Sequence, residues 1–218
     1  MASKFFETHR RALLELGVAY LVAGLILGTA IVLWLVKDIP IGNFTRDPAN
    51  TFDYEFYIGS ISYIGIILWT ATATICIFAA SIMRDDATPE TREMRNFLLA
   101  SGLLTLALMF DDLFLFHEQF FPDYLGIPDY LTFSVYALVT LSYLFIFRNV
   151  IFKTHYLLLI TAGALLGLGM VVDKILDTSA DTSIKFLTED GIKFFGITTW
   201  FVYYARLALN QFRQVRDI

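Results

Sequence analysis

Residues 56–83, FYIGSISYIGIILWTATATICIFAASIM, carry no charged side chain. As an α-helix rising about 1.5 Å per residue, this stretch reaches roughly 40 Å, which exceeds a hydrocarbon core of about 30 Å. Lipid offers the backbone no hydrogen-bond partners, so a run of this kind must close its own bonds as a helix. Working outward, comparable apolar runs lie at 13–36, 96–118, 130–147, 156–176 and 189–209. The alternating segments of about ten residues that build a membrane β-barrel are missing. The pattern predicts an all-α fold: a polytopic integral membrane helix bundle of about six transmembrane helices, forming one membrane-embedded domain over residues 1–218.

Composition agrees. Of the 218 residues, 57% are hydrophobic and 17% charged, against about 25% charged in ordinary soluble domains. The net charge of −5 and the lack of a basic stripe exclude nucleic acid as an expected partner. The single cysteine, Cys76, sits in an apolar run. It excludes an internal disulfide and a thiolate metal cluster, and it reads as a small core residue. The first apolar run is too long for a signal core and lacks a small-residue cleavage site, so it reads as a retained helix. Turn residues mark the connections, notably Pro40, Gly42 and Pro48, then Pro122, Gly126 and Pro128.

Lysine and arginine are enriched on the cytoplasmic side of membrane proteins. With the N-terminus inside, eleven of the sixteen basic residues fall in cytoplasmic segments, leaving Lys37, Arg46, Lys174, Lys185 and Lys193 on the other face. The expected orientation is therefore N-in and C-in, in a bacterial inner membrane or its equivalent. Gly163 and Gly167 form a GxxxG spacing, as do Gly24 and Gly28, a pattern that allows close helix approach. Trp69 and Trp200 fall mid-helix and read as packing residues, while Tyr63, Tyr136 and Tyr203 place hydroxyls within the spans.

The remaining charges fall at one depth. Asp111 and Asp112 lie 16 and 17 residues beyond Arg95, a rise of roughly 24–26 Å. Asp173 lies 18 residues beyond His155, or roughly 27 Å. Glu189 and Asp190 precede Arg206 by 17 and 16 residues, again roughly 24–26 Å. His117, Glu118 and Asp177 follow within a turn or so. A carboxylate at this depth costs a few kcal/mol and normally faces the bundle interior with a partner. Lys193 is expected to meet Glu189 and Asp190 at helical spacings of four and three. By the same periodicity Asp111 and Glu118 are expected on one helix face.

The surplus of negative charge predicts a divalent cation held by Asp111, Asp112, Asp173, Glu189 and Asp190. The oxygen-rich set suits Ca²⁺, Mg²⁺ or Mn²⁺ better than zinc, whose catalytic sites bring two or three histidines. In that reading His117 or Glu118 is a general base and Lys193 a charge partner.

The segments Asp111-Asp112-Leu113-Phe114-Leu115-Phe116-His117-Glu118 and Glu189-Asp190-Gly191-Ile192-Lys193-Phe194-Phe195-Gly196-Ile197 resemble motifs of an uncharacterised family of bacterial polytopic membrane proteins. The resemblance covers two short motifs and the helix count, and it implies no activity. The three-histidine zinc pattern of ceramidase-like membrane hydrolases is not matched, because the charged layer has one histidine. Three functions fit the sequence: a metal-dependent membrane hydrolase acting on a lipid or amphipathic substrate, a cation or proton transporter, and a non-catalytic subunit or scaffold. The expected partners are membrane lipids, with a second membrane protein or a homo-oligomer for the last of these.

Overall fold

The computed structural model of the chain describes residues 2–46, 48–55, 57–83, 88–175 and 182–216. The described residues form helices and connections, with no strand among them. Two compact units divide the chain, residues 1–58 and residues 59–218.

The first unit is one long helix, α1 (Ala2–Lys37), followed by two short ones, α2 (Gly42–Thr45) and α3 (Pro48–Phe52). Its segment Leu16–Lys37 is apolar enough to cross a membrane. Within this unit, large apolar side chains such as Leu21, Leu25, Ile26 and Val32 stand exposed along it.

The second unit holds α4 (Ser60–Ile82), α5 (Pro89–Phe114), a π-helical segment (Phe116–Tyr124), α6 (Asp129–Ile146), α7 (Arg148–Ile151), α8 (Tyr156–Ile175) and α9 (Thr182–Arg216). The start of α5 shows how the sequence sets a boundary. Thr88 caps it by accepting the Thr91 N–H at 3.3 Å, and Pro89 fills the first turn, where its missing N–H costs nothing. Helix α9 packs against both α8 and α4, and α4 against α5. Their shared core includes Trp69, Cys76, Phe97, Leu98, Leu159, Ile197, Trp200, Tyr203 and Tyr204. Trp69 and Trp200 meet edge to face at 5.9 Å, so both are packing residues, and Cys76 is fully buried.

Close approach depends on glycines outside the GxxxG pairs. A Cβ on Gly102 would stand 2.6 Å from Ile77 Cγ1 and 3.2 Å from the Ala73 carbonyl oxygen, so α4 and α5 nearly touch there. Gly196 does the same on α9, where a Cβ would lie 2.9 Å from Leu166 Cγ. A Cβ on Gly163 or Gly167 would meet nothing within 4 Å. The expectation that this pair is a packing face is therefore corrected. Helix α8 turns Leu159, Ala162, Leu166 and Gly169 inward, spacings of three and four that leave Gly163 and Gly167 one position off that face.

Among the described residues, six long helices lie near the positions expected from the sequence. Three are long and apolar enough to cross a membrane by length and composition: Leu16–Lys37, Ser60–Ile82 and Pro89–Phe114. Shorter apolar stretches run from Tyr130 to Ile146 and from Tyr156 to Val172.

Candidate functional site

The site begins where α5 ends. Leu115 adopts a left-handed conformation, φ 52° and ψ 43°, which a branched side chain rarely accepts. The chain then continues as the wider π-helix rather than as α-helix. Such segments are uncommon and recur at functional sites. The helix-to-118 expectation is thus corrected: α5 stops at Phe114, and the seven-residue spacing no longer puts Glu118 on the face of Asp111.

Asp111 is what the turn folds around. It is 7% exposed, and its carboxylate accepts three hydrogen bonds. The His117 backbone N–H reaches Oδ1 at 3.1 Å, the His117 Nδ1 reaches Oδ2 at 2.6 Å, and the Tyr136 hydroxyl of α6 donates to Oδ1 at 2.6 Å. Phe133, also on α6, packs against the imidazole at 5.1 Å. An ionised carboxylate can only accept, so Nδ1 carries a proton and Nε2 is the nitrogen free to exchange one. Nε2 points toward Glu118, whose Oε1 is 3.5 Å away.

His117 lies beyond the apolar span Pro89–Phe114. Burial opposes its charged form, but hydrogen bonding to Asp111 and the charges of Asp111 and Glu118 outweigh that and raise its pKa above the ordinary histidine range. Next along the helix, Asp112 accepts from Lys193 Nζ of α9 at 2.5 Å. The Lys193 charge is felt at His117, and Glu118 and Asp190 lie within electrostatic reach of Lys193.

The structure therefore gathers Asp111, Asp112, His117, Glu118 and Lys193 across α5, the π-segment and α9. It corrects the expected pairing of Lys193, whose hydrogen bond goes to Asp112 and not to Glu189 or Asp190 on its own helix. Glu189 and Asp190 stand one turn earlier on α9. The side chain of Asp173 and all of Asp177 lie outside the described residues. Among the described residues, no three His, Cys, Asp or Glu side chains converge as a metal site. The expected cation site at Asp111, Asp112, Glu189 and Asp190 thus finds no support there. Asp111 is taken up by His117 and Tyr136, and Asp112 by Lys193.

Two features escaped the sequence reading. Thr132 is buried at 5% exposure with a hydroxyl that has no hydrogen-bond partner among the described residues. It sits four residues before Tyr136 and so on the same face of α6. A ladder of rings, Phe110, Phe114, Phe116, Phe120 and Tyr124, runs beside the site with centroids 5.6–6.0 Å apart, and most of it is exposed. Between Lys193 and Arg206, hydroxyls form three polar groups within the bundle. Trp200 Nε1 donates to Thr105 Oγ1 at 3.1 Å. Ser101, Tyr143 and Tyr204 form a hydroxyl chain at 2.7 and 2.8 Å, and Tyr203 meets Thr154 at 2.8 Å.

No curated protein and no solved structure matches the chain. The family defined as a domain of unknown function, DUF8692, matches residues 13–207, most of the chain. The protein is a member of that family.

Proposed function

We propose that the protein is a multi-pass membrane hydrolase that uses His117 as a general acid–base against an amphipathic, lipid-class substrate. One observation carries the reading: Asp111 and Tyr136 fix the imidazole so that Nε2 alone can exchange a proton. A histidine oriented in this way contributes to proton transfer by about 10²–10⁴-fold. In a hydrolytic step Nε2 takes the proton from water as it attacks the ester carbonyl or phosphorus. The same proton then goes to the leaving alkoxide. Lys193, paired with Asp112, supplies positive charge beside the reacting group. The partnerless Thr132 hydroxyl offers a polar contact for water or a substrate oxygen. The exposed aromatic ladder suits an acyl chain arriving from lipid.

In this reading the six long helices all span the bilayer, both termini are cytoplasmic, and the site opens near the outer face of a bacterial inner membrane. The test is turnover of mixed phospholipid and diacylglycerol in proteoliposomes, followed by lipid mass spectrometry. Cleavage products formed by wild type and lost in a folded His117→Gln variant support the reading. Equal product in both removes it.

The hydroxyl ladder favours a second reading, proton transport. Its members come from α5, α6, α9 and the connection between α7 and α8, lying between the Asp112–Lys193 end and the Thr154 end. Proton flux in liposomes that falls in Tyr143→Phe, with no lipid cleavage, would put transport first.

A further inference from the structure

The end of the second unit opposite Lys193 holds two recesses that share Thr154 and His155. One encloses about 290 Å³ and the other about 320 Å³, near the lower limit of about 300 Å³ for small-molecule sites. Lys153 and the amides of Asn210 and Gln211 line the first, and Arg206 lines the second. On α9, Arg206 is 13 residues from Lys193, or about 20 Å, so these recesses are distinct from the acid–base site.

Their lining is held in place. Thr154 Oγ1 donates to the Ile151 carbonyl at 2.7 Å and meets the Tyr203 hydroxyl at 2.8 Å. That contact staples the short connection carrying Lys153 and His155 to α9. Gln211 is buried. Arg206 has no carboxylate partner among the described residues, and Glu90 lies within electrostatic reach of Lys153. The two recesses thus present cationic and amide donors around the Thr154 and His155 they share, a set that matches phosphate oxygens. Beside them in sequence, Phe152, Leu157 and Ile160 stand exposed, an apolar margin to the recesses.

We propose that this basic end binds one phosphate-bearing headgroup, with Arg206 and Lys153 holding the phosphate, Asn210 and Gln211 hydrogen-bonding to its oxygens, and acyl chains running along Leu157 and Ile160. The recognised chemistry is a phosphate anion, supplied by an anionic phospholipid or by free phosphate. The proposal stands whether or not His117 is catalytic.

Native mass spectrometry of the full chain in mild detergent tests it, using phosphatidylglycerol, phosphatidylcholine and inorganic phosphate as separate probes. Phosphatidylglycerol should bind at least tenfold more tightly than phosphatidylcholine. Each charge removed should weaken it about fivefold, so Lys153→Ala with Arg206→Ala should lose about twenty-fivefold while phosphatidylcholine binding is unchanged. Arg206→Lys should retain most of the affinity. Should the double variant not fold, Arg206→Ala alone, at an exposed position, gives the fivefold comparison. Millimolar phosphate that displaces the lipid from wild type identifies free phosphate as the ligand, and no displacement identifies the lipid headgroup. Equal binding of the two lipids, or charge-removal variants that match wild type, overturns the proposal.

Discussion

Replacing Asp111 with asparagine changes one atom and should reverse the tautomer of His117. The Asn Oδ1 can still accept from the His117 backbone N–H and from Tyr136, the two bonds that Oδ1 accepts in the native side chain. The other oxygen becomes an NH₂ donor facing Nδ1, the nitrogen now 2.6 Å from Oδ2. Nδ1 must then accept, and the proton moves to Nε2. A bond to a charged acceptor, about 1.5–3 kcal/mol, becomes a neutral one of about 0.5–1.5 kcal/mol, a loss of about 1–2 kcal/mol. For a chain of this size that lowers the melting temperature by about 2–8 °C. Asp111→Ala leaves three donors without an acceptor, at about 1 kcal/mol each because water reaches His117 and Tyr136 in part, or about 3 kcal/mol in all. The assay is ¹⁵N NMR of histidine-labelled protein in detergent, above the pH at which His117 titrates, with a thermal melt beside it. Wild type should show the Nδ1–H form and Asp111→Asn the Nε2–H form. An asparagine variant that keeps the Nδ1–H form and melts like wild type would refute the argument that Asp111 holds the ring.

Other outcomes are expected. Since the folded His117 pKa is raised, the stability it contributes is complete below the unfolded histidine value and is lost as pH rises through the folded one; melts across pH 5.5–9 should show that loss, and His117→Gln should flatten it. Asp112→Asn and Lys193→Met should couple by about 1 kcal/mol in a double-mutant cycle, because the lysine is 40% exposed and solvent screens the pair; zero coupling in thermal melts would remove the pair as a stabilising contact. Gly102→Ala should destabilise the bundle by about 1–3 kcal/mol through overpacking against Ile77 and the Ala73 carbonyl, whereas Gly163→Ala should be neutral or gain up to about 1 kcal/mol of helix propensity; equal melting temperatures for the two would contradict the packing described.

Hydropathy and charge spacing located the helices, because lipid leaves an apolar run few ways to fold. They also brought Asp111, Asp112, His117 and Lys193 to one depth, since rise per residue is nearly constant. Facing was not legible. It depends on which side chains meet across helices, and Lys193 chose Asp112, 81 residues away in sequence, over the acids on its own helix. The π-segment was missed because no propensity rule signals a Leu in the left-handed region. Once α5 stopped at Phe114, the arithmetic that linked Asp111 to Glu118 no longer applied. Tyr136 was visible as a hydroxyl, but its donation to Asp111 needed the rotation of α6. The glycine pairs misled for the same reason: spacing shows that two residues share a face, not which face is covered.

The 81-residue separation of Asp112 and Lys193 also sets a timetable. At about 5–20 residues per second, a ribosome delivers Lys193 roughly 4–16 s after Asp112. During that interval the nascent α4–α5 hairpin must enter the membrane with its acidic end unneutralised and the surface meant for α9 uncovered. The contact that neutralises that end in the finished fold belongs to a helix not yet made.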